Sequence, residues 1–475
     1  MEYEVVIGLE VHVQLKIKTK AFCGCSTEFG KPANTQVCPV CLGFPGSLPV
    51  LNKKALELAI KVGLALNCQI QKEIRFDRKN YFYPDLPKNY QISQYALPIA
   101  LGGFLEIDLD ENCKKNIGIR RLHLEEDAGK LIHTEKYSLV DFNRSGVALL
   151  EIVSEPQISS PHEAYNYLVN LKELLQYLEV SDCDMEKGSL RCDANISLKK
   201  KEDLKLGTKI ELKNMNSFKA IKDALVYEIE RQSSVLKKAK TLIQETRLWD
   251  AKQQKTFSMR TKEEAQDYRY FPEPDLVPFV LSEEEIQKIK QEIPELPQNK
   301  KQRFIKEYGL SYSEAKFIVS NKDLANYFED CFSLYPQAKT VYNWIVGSLM
   351  AELNERKKEI SRIELLPEEF TRLINQVEEK KLTQLKAKEI LKKMLDTGES
   401  FSKIAQEESV EQISDEVMLN QIVQQVVKEN PKSVEDYKAG KNNALMFLVG
   451  QVMRKTQKKA NPQIVQGLLK EILDK

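Results

Sequence analysis

The chain has 475 residues, 42% of them hydrophobic, which is enough for more than one packed core and excludes a disordered chain. Its 71 lysines and arginines nearly cancel its 70 aspartates and glutamates, so bulk charge does not advertise nucleic-acid binding and any such surface is local. No run of roughly eighteen apolar residues occurs, and the amino terminus opens straight into a strand pattern, so a cytoplasmic protein with neither signal peptide nor membrane span is expected.

The first strand-like run, residues 4–15, contains Gly8-Leu9-Glu10-Val11-His12-Val13-Gln14-Leu15. Residues alternate faces along a strand, so Glu10, His12 and Gln14 point one way while Leu9, Val11, Val13 and Leu15 point the other. Cys23-Gly24-Cys25 and Cys38-Pro39-Val40-Cys41 follow as two close pairs at knuckle-like spacing. In a reducing compartment, four such thiols hold a structural zinc more readily than they form disulfides, and a closed four-thiolate site leaves no position for substrate. A helix is predicted near Lys53–Leu66, with Leu56, Ala59, Ile60, Gly63 and Leu64 on one face. Residues 75–95 interleave basic and aromatic side chains with paired prolines, the composition of a surface loop that grips phosphates and stacks on bases.

Further strands are predicted at 118–125, 130–135, 146–153, 190–198 and 207–213, with helices near His162–Leu178, after Ser159-Ser160-Pro161, and at Lys219–Lys238. Prolines force residues 268–278 to be extended. From Ser282 the pattern turns helical, with Glu292–Asn299 as a proline-bearing linker and a stripe of Leu382, Leu385, Ala387, Ile390, Leu391 and Met394. The expected fold is α+β. A large mixed α/β domain with a central sheet occupies 1–292, an all-α domain 293–406 and a small all-α tail 407–475.

The same alternation gathers acids. Arg121, His123, Glu125 and Asp127 share a face, as do Arg191, Asp193 and Asn195, and Lys209, Glu211 and Lys213, while Glu151 interrupts an otherwise apolar run. On one strand this would be an ordinary solvated face. Five acid-bearing segments flanked by apolar residues instead call for hard divalent cations held by carboxylates and an imidazole, and so for metal-assisted chemistry on phosphate. Glu125 is the favoured ligand of the Glu125-Glu126 doublet, with Glu126 kept as its alternate. Neither a Gly-x-x-x-x-Gly-Lys-Ser/Thr loop nor a Gly-x-Gly-x-x-Gly turn is present. If ATP is used, metal ions and the basic Arg191, Lys209 and Lys213 must hold its phosphates. The four histidines form no evident Ser/His/Asp arrangement, so nitrogen for any amide synthesis must come from another subunit.

Long strings carry a resemblance: GLEVHVQL at 8–15, CPVCLGFPGSLP at 38–49, FDRKNYFYPDLPKNYQISQ at 76–94, HLEEDAGK at 123–130, DFNRSG at 141–146, RCDAN at 191–195, ELKNMNS at 211–217 and YRYFPEPD at 268–275. Over essentially its whole length the chain resembles the B subunits of bacterial glutamyl/aspartyl-tRNA amidotransferases. The resemblance implies a kinase-like cradle domain, a helical domain and a tRNA-binding tail. It implies phosphorylation by ATP of the side-chain carboxylate of misacylated Glu-tRNA(Gln) or Asp-tRNA(Asn). Ammonia would come from a glutaminase (A) subunit in a heterotrimer completed by a small C subunit. It further implies one magnesium on His12, Glu125 and Glu151, a second on Glu10, Glu125, Asp193 and Glu211, and zinc on Cys23, Cys25, Cys38 and Cys41. The basic Arg454, Lys455, Lys458 and Lys459 would face RNA. The rival reading is a non-catalytic tRNA-binding scaffold.

Overall fold

The computed structural model describes residues 3–261, 268–407, 416–438, 441–456, 460 and 462–474. The chain divides into two compact units, Met1–Asn299 and Lys300–Lys475.

In the first unit β1 (Tyr3–Gln14) runs through the middle of a ten-stranded sheet, burying Val5, Ile7, Leu9, Val11 and Val13 on one face. The other strands are β2 (Gln69–Ile70), β3 (Ala100–Leu101), β4 (Phe104–Asp108), β5 (Lys114–Glu126), β6 (Ala148–Ser154), β7 (Leu190–Lys200), β8 (Ile210–Lys213), β9 (Glu245–Asp250) and β10 (Lys255–Thr261). Their order is β10-β9-β8-β7-β1-β6-β5-β3-β2, with β4 paired separately to β5. All pairs are antiparallel except β8 with β9. Against the apolar face lie α1 (Lys53–Ala65), α2 (Pro161–Tyr177) and α3 (Phe218–Lys237), whose buried side chains join one core cluster with those of β1, β5, β6 and β7. Each helix starts where a polar side chain meets the free amides of its first turn. Asn52 accepts from Lys54 and Ala55, Ser160 from Glu163, and Ser217 from Ala220.

Three expectations change in detail. The run at 130–135 is a strand only over Lys130–His133, and it pairs with Ser138–Asp141 as a separate ribbon rather than joining the sheet. Residues 75–95 are not a free loop: Asp77–Asn80 and Tyr90–Ser93 form a hairpin, whose outer edge takes up Phe271–Pro272 from the proline-rich segment. Only its tip, with Phe82 and Tyr83, stays exposed. The stretch expected as a linker is helical from Pro297, a residue suited to the first helical position because it has no amide hydrogen to leave unpaired.

The second unit is wholly helical over its described residues, from Lys300 within the helix Pro297–Tyr308 to Pro462–Leu473. In Gln384–Thr397 the predicted stripe buries Ala387, Ile390, Leu391 and Met394, whereas Leu385 falls off it and is exposed. Leu419, Val423, Val426, Leu448, Val452, Val465 and Leu469 make an apolar cluster of their own near the carboxy terminus. No helix among the described residues is long and apolar enough to cross a membrane.

Candidate active site

The register of the sheet assembles the polar face row by row. His12 on β1 stands opposite Arg191 on β7 and Glu151 on β6, and Glu151 stands opposite His123 on β5. One row along, Leu149 faces Glu125. His12 Nε2 lies 3.5 Å from Glu125 Oε1 and 3.3 Å from Glu151 Oε2. From the other side, His123 Nε2 lies 3.0 Å from Glu151 Oε2 and 3.8 Å from Glu125 Oε2. Ser93, from the hairpin, donates to Glu125 Oε2 at 3.3 Å.

These groups are buried, so their charges survive only by mutual support. Burial works against the imidazolium of His123, yet the adjoining Glu151 and Glu125 carboxylates outweigh it and push its pKa up to about 9. His12 moves in the same direction, burial again opposing and Glu151 prevailing. Burial likewise opposes ionisation of both glutamates. His123 and Lys79 nevertheless hold Glu125 below the ordinary carboxylate range, and His123 and His12 hold Glu151 well below it. Lys79 stays charged because Glu125 offsets the cost of its burial.

The donor atoms of His12, Glu125 and Glu151 all lie within 4.8 Å of one another, a set suited to one hard dication. Glu126 has a different task. Its carboxylate accepts from Lys88 Nζ at 2.5 Å and from the Ile92 amide at 2.9 Å, on the side away from His12.

Next to this cluster, Glu10 stands opposite Asp193, and Asn195 opposite Glu211. Asn195 donates to Glu10 Oε1 at 2.7 Å, Lys213 Nζ lies 2.5 Å from Asp193 and 3.3 Å from Glu211, and Thr246 on β9 donates to Glu211 at 2.7 Å. The structure thus lines these acids up on one face. Among the described residues, however, Glu10, Asp193 and Glu211 do not converge with Glu125 into a second cluster as tight as the first. Arg191 Nη2 pairs with Asp127 at 2.8 Å, and Arg144 reaches Asp127 at 3.5 Å while donating to the carbonyls of Ala128 and Gly129. Lys209 lies just before β8, where with Glu10, Arg120, Asn195, Pro156 and Leu206 it lines a cavity of about 230 Å³.

The sulfurs of Cys23, Cys25, Cys38 and Cys41 also lie within 4.8 Å of one another, so the four could bind a metal such as zinc. A hydrogen bond from Cys23 and the amide of Cys38 lower the Cys41 pKa to about 4, while burial raises that of Cys25 to about 11. Gly43, at φ 70°, closes the turn, and a side chain there would strike Lys88.

His123 and Lys79 belong to this site although neither stood among the predicted ligands. Alternation had placed His123 on the right face. Nothing local in the sequence brings Lys79 to Glu125, because the hairpin is folded over the sheet by long-range pairing.

A family model described as the GatB/GatE catalytic domain matches residues 5–287, which hold every side chain of the acid face, and a second, described as the GatB domain, matches 326–473. The chain belongs to this family. Relatives named as the B subunit of aspartyl/glutamyl-tRNA(Asn/Gln) amidotransferase are 54% identical in Caldanaerobacter subterraneus, covering all of both chains, and 52% identical in Carboxydothermus hydrogenoformans, covering all of this chain and 99% of the relative. The corresponding protein of Persephonella marina is 51% identical over the full length of both. The mixed α/β architecture with a helical carboxy-terminal region is the one expected of the family.

Proposed function

We propose that this chain is the activating subunit of a tRNA-dependent amidotransferase. Its acid face phosphorylates the side-chain carboxylate of misacylated Glu-tRNA(Gln) or Asp-tRNA(Asn). The observation that carries this reading is the close cluster of half-buried His12 and Glu151 with buried Glu125, on a sheet within the stretch that matches the family's catalytic-domain model. A carboxylate is a poor electrophile. Attack of its oxygen on the γ-phosphorus of ATP expels ADP and leaves an acyl phosphate. Ammonia from a glutaminase subunit then adds to the carbonyl carbon, phosphate departs, and the nitrogen loses a proton to give the amide.

His12, Glu125 and Glu151 would hold one magnesium, and Glu10, Glu125, Asp193 and Glu211 a second. Such ions screen the repulsion between the incoming carboxylate and the phosphates. Arg191, Lys209 and Lys213 supply cations for the phosphate oxygens. Asp127 steadies Arg191 from behind, and Asp193 and Glu211 keep Lys213 on the face until phosphate competes for it. Ser93 and Lys79 hold the Glu125 carboxylate in place from the hairpin side.

The separate apolar cluster of the last helices supports a three-part division into a cradle at 1–292, a helical domain at 293–406 and a tRNA-binding tail at 407–475. Within the tail, Lys455 is engaged by Glu429 at 2.6 Å, so Arg454 is the better-placed RNA contact, and Lys458 and Lys459 lie outside the described residues. The partners are a glutaminase subunit and a small C subunit, in the cytoplasm.

Glu151→Gln tests the reading. In the assembled enzyme it is expected to lose ADP release stimulated by charged tRNA while binding that tRNA as before. Undiminished stimulation in the variant refutes the site. Absence of any stimulation in the parent enzyme leaves only a scaffold.

A further inference from the structure

We propose that Lys20 is the counter-ion of a tetrathiolate metal centre and the latch that fastens this centre to the Phe142–Gly146 turn beside the acid face. The inference rests on the reading of the four cysteines as a zinc site.

Lys20 is fully buried, a rare place for a lysine without an anionic partner. Its Nζ lies 3.5 Å from Cys41 Sγ and 3.3 Å from the Phe142 carbonyl. The amide of Cys38 also points at Cys41 Sγ, at 3.2 Å. Two donors converging on one sulfur suit a thiolate, the form a metal ligand takes, although the sulfur also lies 3.5 Å from the Cys38 carbonyl. A neutral thiol there would leave the ammonium buried against little more than one carbonyl. Four thiolates around a dication leave two negative charges over, and Lys20 supplies a positive charge from the buried side. Its main chain belongs to the same structure, since the Lys20 amide donates to the Cys25 carbonyl at 3.0 Å.

The latch runs on from there. The Ala21 amide donates to the Gly146 carbonyl at 2.8 Å, and the Gln36 amide to Asn143 Oδ1 at 2.8 Å. The Gly146 amide in turn donates to the Asp127 carbonyl at 2.9 Å. The same turn carries Arg144, which with Arg191 flanks the Asp127 carboxylate, two residues from Glu125. An empty or loosened knuckle therefore frees the turn that carries Arg144 to Asp127. Lys20 acts as a positioning residue, away from the reacting atoms.

Lys20→Met, which keeps the length and removes the charge, tests this in the full chain. Zinc bound to parent and variant is followed as it passes to a chromogenic chelator, and backbone amide exchange is read over residues 140–147 and 190–200. Release from the variant is expected to be about ten-fold faster or more, the usual effect of losing an outer partner of a metal ligand. Exchange is expected to rise over 140–147 and to stay unchanged over 190–200. Stripping zinc from the parent should raise exchange in the same turn. If the variant fails to fold, the stripped parent decides, and an unchanged turn there overturns the latch. Equal release rates with unchanged exchange overturn the role of Lys20 while leaving the zinc site standing. A parent chain that takes up no zinc removes the zinc reading itself.

Discussion

Glu125 and Glu126 are adjacent, both buried, and point to opposite sides of one strand, so the same substitution at each should have opposite consequences. Glu126→Gln removes one charge from an ion pair with Lys88 whose side chains are 4% and 9% exposed. Breaking such a pair from one side costs about 3–5 kcal/mol, because the remaining charge is left buried. Glutamine keeps an oxygen for the Ile92 amide, which places the loss near about 3 kcal/mol. For the 299-residue first unit, an unfolding entropy of about 0.6 kcal/mol/K turns that loss into a fall of about 5 °C in melting temperature. Glu125→Gln should lower the melting temperature by less than the Glu126 variant does at mildly alkaline pH, since His12 and His123 can each shed a proton when their partner is neutralised and Lys79 still faces Glu151. It should abolish charged-tRNA-dependent ADP release, whereas the Glu126 variant, once folded, should retain it. Calorimetry on each chain and ADP release in the assembled enzyme read the two effects. The reverse pattern, a stable but inactive Glu126 variant beside a destabilised but active Glu125 variant, would refute the assignment of the ligand.

Two further outcomes are expected. In the metal-stripped protein, His123 has a folded pKa of about 9 against an ordinary value of 6.5. Its share of stability, about 3 kcal/mol, is complete below pH 6.5 and lost as pH rises through 9, which denaturant titrations across that range would detect and which His123→Gln should abolish. Gly207→Ala would set a methyl group 2.0 Å from the Leu198 carbonyl beside the cavity that Glu10 and Lys209 line. A loss of about 1–3 kcal/mol is expected, measured by denaturant melts, and a neutral result would mean that the 201–209 loop moves aside freely.

How much of this could be read from the sequence depends on distance along the chain. Period-two alternation in residues 8–15 gives the face of Glu10 and His12 outright, because β1 is a long central strand with helices covering one side only. Asn52, Ser160 and Ser217 mark helix starts because a cap is a local hydrogen bond. Strands β9 and β10 gave no comparable signal. Arg247 pairs with Glu245 on its own strand at 2.6 Å and with Glu228 on α3 at 3.1 Å, and no window of sequence shows the second partner. Lys20 is harder still. A lysine among polar residues reads as solvated, and only the folded knuckle makes it one of the most buried side chains in the chain. Alternation also says which acids share a face but not which share a point. That is why His12, Glu125 and Glu151 meet closely while Glu10, Asp193 and Glu211 lie spread along the sheet.

The acids of the two clusters on this face are nonetheless answered from within the protein, and the answers differ in kind. Around Glu125 and Glu151 they are imidazoles, which can give up a proton; around Asp193 and Glu211 the answer is Lys213, which cannot do so near neutrality. A dication entering the first cluster requires neutral His12 as a ligand, so it exchanges for protons and binds more tightly as pH rises. A dication entering beside Asp193 has to displace an ammonium on a flexible four-carbon stem. On the proposed reaction that displacement has a use, because the freed Lys213 then carries its charge towards the phosphates the ion brings with it. On that proposal, the cation that balances these acids would become a phosphate ligand once ion and phosphate are bound. The spread of these acids fits that arrangement, since Asp193 and Glu211 already share Lys213 and Glu10 is held by Asn195, so none needs to converge on another before an ion arrives.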